Sequence, residues 1–186
     1  MSLLYILTVG SIEDEVLTAI EQKLHQVLEW EIRRGASLMM PEVAFNKTRN
    51  QFEALHVMRA VADVAPGNAN RVLAITKEDL SIPMLTFVYG QAQLGGRVAL
   101  MSLARLRQEF YGLPSNLGLL IGRAIKEALH ELGHNFGLVH CPSTTCVMML
   151  ANDIQHVDDK DSEFCSGCTV LLRDSLNEMR NAEKEK

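Results

Sequence analysis

The stretch from His130 to Cys146 reads HELGHNFGLVHCPSTTC, and the remainder of the chain is best read outward from it. Before it, Leu117, Leu120, Ile121, Ala124, Ile125, Ala128, Leu129 and Leu132 recur at helical spacing behind a start signal at Ser115 and Asn116. On such a helix, residues four apart share one face about one turn apart. His130 and His134 can therefore aim imidazole nitrogens at one metal ion. Glu131 sits about 100° further round, within reach of a water at that metal without being a ligand. This is the H-E-x-x-H arrangement, in which the glutamate serves as general base.

The pentapeptide alone is also met as a pair of surface histidines. Its extension decides between the two. Gly137 follows His134 by three residues and His140 follows Gly137 by three. Glycine can take φ > 0 and end the helix in a sharp turn, which brings His140 back as a third ligand. At average residue usage the five fixed positions arise by chance in roughly one chain of this length in a hundred thousand. Three protein nitrogens leave one tetrahedral corner for water, the mark of a catalytic zinc.

Cysteine supplies a separate signal. Cys141, Cys146, Cys165 and Cys168 all fall in the last third of the chain, as C-x4-C and C-x-x-C with 18 residues between the pairs. Two disulfides, inert buried thiols and a redox C-x-x-C are the competing readings. The opening residues lack the basic flank and cleavage site of a secretory leader, which disfavours disulfides and points to a cytoplasmic protein. A redox pair would leave Cys141 and Cys146 without a role. Four thiolates around a structural zinc account for all four.

Taken together, HELGHNFGLVHC, the Cys146-Val147-Met148 step and CSGC (residues 165–168) resemble the archaemetzincins, a branch of the metzincin metallopeptidases. The resemblance rests on residues 130–168. It implies His130, His134 and His140 as ligands of a catalytic zinc, with Glu131 as its base. It implies Cys141, Cys146, Cys165 and Cys168 as ligands of a second zinc, hence two Zn²⁺ per chain. It also implies Met148 as the methionine of the turn beneath the catalytic metal, and a metzincin-like fold with an antiparallel strand over the cleft that holds an extended peptide by strand addition.

The rest of the chain fits an α/β (α+β) arrangement. Leu3–Val9 and Arg71–Thr76 read as buried strands. Residues 13–33 read as an amphipathic helix on Val16, Leu17, Ile20, Leu24, Val27 and Leu28, and residues 49–62 as a second, with Phe52, Leu55 and His56 on one side. Leu38–Met40 is a possible edge strand. Leu85–Ala92 and Val98–Leu103, joined through Gly95-Gly96, read as a hairpin, and residues 105–111 as a connector. Residues 151–164 read as a solvated acidic loop, 170–179 as a final helix, and NAEKEK as a fraying end. His25, His56 and His156 lack ligand spacing and are expected to have no role.

With 186 residues, 47% of them hydrophobic and 22% charged, one catalytic domain is expected: an N-terminal lobe over 1–137 and a zinc-stapled C-terminal lobe over 138–186, too small to hold by apolar burial alone. A net charge of −5 argues against nucleic acid as partner, and no apolar run is long enough to span a membrane. The expected activity is zinc-dependent hydrolysis of peptides, with Tyr89 and Tyr111 as candidate oxyanion donors. A zinc-stabilised peptide-binding scaffold with little turnover is the alternative. Because neighbouring extended residues point to opposite sides, His140 and Cys141 can serve different metal sites across one hinge.

Overall fold

The computed structural model describes residues 2–184. Its main sheet runs β2 (Glu31–Arg34), β1 (Leu3–Val9), β5 (Arg71–Thr76), β9 (Val98–Ser102) and β8 (Gly90–Ala92), parallel except for β8, which pairs antiparallel with β9 at the edge. A smaller sheet runs β3 (Phe45–Asn46), β4 (Gln51–Glu53), β6 (Leu80–Ile82) and β7 (Leu85–Val88).

The continuous apolar runs of the central strands are explained by burial on both faces. Leu4, Ile6, Leu73, Ile75, Ala99 and Met101 pack into one core with α1 (Asp14–Leu28) and α3 (Leu117–Asn135). Their alternates Leu7, Val9, Val72, Ala74, Val98 and Leu100 pack into a second core against α2 (Ala54–Val64). The first core continues through Cys146, Val147, Met148 and Val157 to Cys168, Leu172 and Leu176. The segment after Gly137 thus buries its apolar side chains in the core of the sheet as well as around its cysteines.

Several elements depart from the reading of the sequence. The first helix stops at Leu28, where Glu29 adopts φ 56 and donates to the His25 carbonyl. Buried Trp30 then packs edge-on against Phe136, with ring centroids 5.4 Å apart. Residues 31–34 pair with β1, where the spacing predicts a helix running on to residue 33. The second helix starts only at Ala54, and its buried side is Ala54, Val57, Met58 and Val61, leaving Leu55 exposed. Gln51–Glu53 forms β4 instead, parallel to β6. Leu38 makes a single bridge to Val9.

Leu85–Ala92 is not one strand but two. β7 folds back on β6 across Pro83-Met84, while β8 joins the main sheet, with Tyr89 buried at the crossing and its carbonyl accepting from Ser102 N. The connector 104–111 is two 3-10 turns. The acidic stretch contains α4 (Ile154–Asp159), capped by Asp153, whose carboxylate accepts from His156 N. The last helix, α5 (Ser166–Lys184), begins at the second cysteine pair and outruns the predicted end. Residues 185 and 186, part of the end expected to fray, lie outside the described residues.

Candidate metal centre

Helix α3 begins where Asn116 Oδ1 accepts from Leu119 N and ends in a glycine turn. Gly137 takes φ +87; its N–H donates to His134 O at 2.9 Å, and Leu138 N–H donates to Gly133 O at 3.0 Å. That pair of bonds is the Schellman closure. It reverses the chain and returns His140 to the histidines above, its ring centroid 5.3 Å from His130 and 4.9 Å from His134. One ring nitrogen from each of the three histidines lies within 4.8 Å of the others.

The ring nitrogens facing away from this focus are engaged. His130 Nδ1 lies 2.9 Å from Val147 O, and His134 Nδ1 lies 2.8 Å from Leu138 O. A carbonyl accepts only from N–H, so both Nε2 atoms carry lone pairs, and these face one another at 3.2 Å. Two lone pairs in that position repel unless a cation lies between them. A tetrahedral zinc with Zn–N of about 2.05 Å sets ligand nitrogens roughly 3.3 Å apart, so the donor set fits that ion. Burial lowers the pKa of all three imidazoles, with the Lys160 charge acting in the same direction, and this keeps them in the neutral, ligating form.

Glu131 is buried against the rim strand: a Cβ built on Gly90 would meet its Oε1, Cδ and Cγ. Burial raises its carboxyl well above the usual range, as does Glu127, while Lys160 opposes. Beneath the helix, Met148 is fully buried and approaches so closely that a Cβ on Gly133 would strike its Sδ. Met149 is only partly buried.

On the other side of His140, the sulfurs of Cys141, Cys146, Cys165 and Cys168 lie within 4.8 Å of one another. The Cys141 and Cys165 sulfurs are 3.8 Å apart. A disulfide holds its sulfurs at about 2.05 Å, whereas a zinc with Zn–S of about 2.3 Å separates its thiolates by roughly 3.8 Å. The Cys168 amide helps draw the Cys165 thiol down to about 7, while burial pushes Cys146 and Cys168 up. Such a cluster ionises fully only around a cation.

The histidines open into a cleft of ≈ 520 Å³ between β7–β8 above and α3 below, with Val139, Leu150 and Asn152 along its near side. Both rim strands are sheet edges. Arg105 steadies β7: it forks onto Asp79 at 2.7 and 2.8 Å and lies between the Phe87 and Phe110 rings, 4.1 and 4.6 Å from their centroids. Tyr89 lines the cleft, whereas Tyr111 does not, and its hydroxyl donates to Arg105 O. His25 faces the Trp30 carbonyl, and His56 and His156 face Glu53 and Asp153, all away from the cleft.

Three features leave no signal in the sequence. Gly90 reads as one residue within a strand, yet it abuts Glu131. Asn135 is fully buried and donates to Gln93 O and Val98 O at 3.0 Å each, tying the end of α3 to the hairpin. Lys160 lies in a stretch whose acidity predicts a solvated loop, yet it is buried and pairs with Glu127 at 2.7 Å. Glu127 lies four residues before Glu131, so its place on the metal face of α3 was legible from helical spacing; its cation was not.

A model of peptidase family M54 matches residues 14–174. The chain is 40% identical to the archaemetzincin of Methanocaldococcus jannaschii over 89% of its own length and 90% of the relative's. It is 42% identical to that of Methanopyrus kandleri over 74% of each. The crystal structure of the Methanopyrus kandleri archaemetzincin superposes with a TM-score of 0.85 at 34% identity, covering 95% of this chain and 96% of that one. A zinc-dependent peptidase from Methanocorpusculum labreanum superposes with a TM-score of 0.80 at 29% identity, over 91% and 99%. The chain belongs to peptidase family M54 and is a zinc metallopeptidase of the archaemetzincin type.

Proposed function

We propose that the cleft hydrolyses peptide bonds with Glu131 as general base, that His130, His134 and His140 hold the catalytic zinc, and that Cys141, Cys146, Cys165 and Cys168 hold a second, structural zinc. Residues 1–137 and 138–186 then act as one catalytic domain, with Met148 as the apolar floor under the histidines. The observation that carries this reading is the pair of Nε2 lone pairs facing at 3.2 Å, one residue from a buried carboxylate that opens onto the same cleft.

His130, His134 and His140 would hold the zinc, which when bound would supply Lewis acidity towards a carbonyl and a water of lowered pKa. The protein does the rest. The free edges of β7 and β8 offer backbone N–H and C=O groups to an extended peptide. Val147 O and Leu138 O fix the tautomers and ring planes of His130 and His134. Glu131 takes a proton from the attacking water and passes it to the leaving amine.

The partner is a peptide or protein substrate. A net charge of −5 speaks against nucleic acid, and no helix among the described residues is long and apolar enough to cross a membrane. Reduced, clustered cysteines suit a cytoplasmic setting. Incubation with a diverse peptide library, read by mass spectrometry, separates the enzyme from a binding scaffold. Glu131→Ala should keep its zinc and lose about 10²–10⁴ in turnover. Hydrolysis at the wild-type rate in that variant would overturn the assignment.

A further inference from the structure

Glu131 is not the only buried carboxylate that lines the cleft. Glu127, one turn earlier on the same face of α3, also lines the cavity and is 2% exposed. Its Oε1 faces Lys160 Nζ at 2.7 Å. Among the described residues no other group pairs with the carboxylate, although a buried ionised carboxylate offers about four acceptor sites. Lys160 is fully enclosed and is not itself a wall of the cleft, so a ligand meets the pair only through Glu127. The same cleft is lined by Phe87, Tyr89, Leu150 and Ala151, which contribute ring and alkyl surface.

A buried carboxylate anchored by a lysine on one oxygen, and open to an apolar cavity on the other, is a fixed acceptor. We propose that Glu127 is a specificity-determining residue: it accepts a hydrogen bond from the tip of the substrate side chain that fills the inner cleft. The favoured peptides carry there a side chain with an apolar body and a donor tip, tyrosine rather than phenylalanine, lysine rather than norleucine. Lys160 acts as a positioning residue that holds the carboxylate in place. A matched apolar side chain would bury the acceptor without a partner, the situation that makes polar sites reject such analogues.

This inference rests on the peptidase reading of the same cleft, and the test separates the two. Matched peptide pairs, tyrosine against phenylalanine and lysine against norleucine, are scanned through the positions flanking a cleavage site with the zinc-loaded enzyme. At one position kcat/KM should favour the donor by about tenfold or more. The same pairs are titrated onto zinc-loaded Glu131→Gln, where affinity is read without turnover and should show the same preference. In the double variant Glu127→Met, Lys160→Met the preference should fall towards one, since two apolar side chains of similar length replace the pair without leaving a charge behind. Equal affinities of the matched pairs for Glu131→Gln would overturn the proposal, as would a double variant that keeps the wild-type ratio. Absence of hydrolysis by the wild type, with the affinity preference intact, would instead count against the peptidase reading.

Discussion

Replacing Gly90 with alanine should disable the enzyme without unfolding it. The new Cβ would stand 2.5 Å from Glu131 Cδ and 2.6 Å from Cγ, where ordinary contact begins near 3.4 Å. The carboxylate must therefore retreat by about 1 Å, and misplacement of a reacting group by that amount costs about 100-fold in rate, or roughly 2.7 kcal/mol of barrier. Gly90 is not in the left-handed region, so β8 accepts alanine apart from this collision. We expect kcat to fall about 100-fold while bound zinc, measured by atomic absorption, stays at the wild-type level. Overpacking adds a stability loss of about 1–3 kcal/mol at most, visible in a thermal melt. The control is the double variant Gly90→Ala, Glu131→Ala: with the carboxylate gone, the alanine at position 90 should cost nothing further in rate. A wild-type kcat in Gly90→Ala, or losses that simply add in the double variant, would refute the argument that rim packing places Glu131.

Three other perturbations test the rest of the site. Cys165→Ser should release one zinc per chain and weaken retention of the other by about tenfold or more, because Cys141 adjoins His140 and its N–H is held by Met148 O at 2.9 Å; competition with a chromophoric chelator reads this, and unchanged affinity removes the coupling. Lys160→Met leaves Glu127 buried without its cation and should cost about 3–5 kcal/mol in denaturant unfolding, most of it recovered in Glu127→Met, Lys160→Met. Equal stability of single and double variants would show that the pair is not what the lysine maintains. Gly133→Ala gains about 1 kcal/mol of helix propensity but drives a Cβ onto Met148 Sδ, with Cε at 3.0 Å. Overpacking of about 1–3 kcal/mol should win, and Met148→Ala in the same chain should relieve it; a net stabilised Gly133→Ala would place the methionine elsewhere.

The candidate metal ligands are legible in the sequence because their geometry is local. Histidines four apart must share a helical face, and Gly137 three residues on is where a helix can reverse, so the triad follows from spacing and one permissive φ. The cysteine pairs are local in the same sense. The errors have a common cause. Trp30 and Ile32 extend the apolar stripe of α1, yet the helix has already ended: Ile32 lies in a strand paired with β1, and Trp30, just before it, packs on Phe136. Leu85–Ala92 has the composition of one strand, but β6 captures its first half and β9 its second. The acids of 151–164 look solvated, yet Asp158 is gripped by Arg123 at 2.7 and 2.6 Å.

By itself, the order of residues determined which atoms could ligate a metal, since that depends only on side-chain chemistry and on distances within a turn or two of helix. It determined equally that a carboxylate would stand beside those atoms. What only the folded chain decided is the surroundings of that carboxylate: a glycine edge pressed against it from β8, a methionine below its helix, and a lysine from beyond α4 paired with the neighbouring glutamate. These contacts join segments far apart in sequence, and their energy comes from close packing and from excluding water, neither of which leaves a periodic trace in the chain.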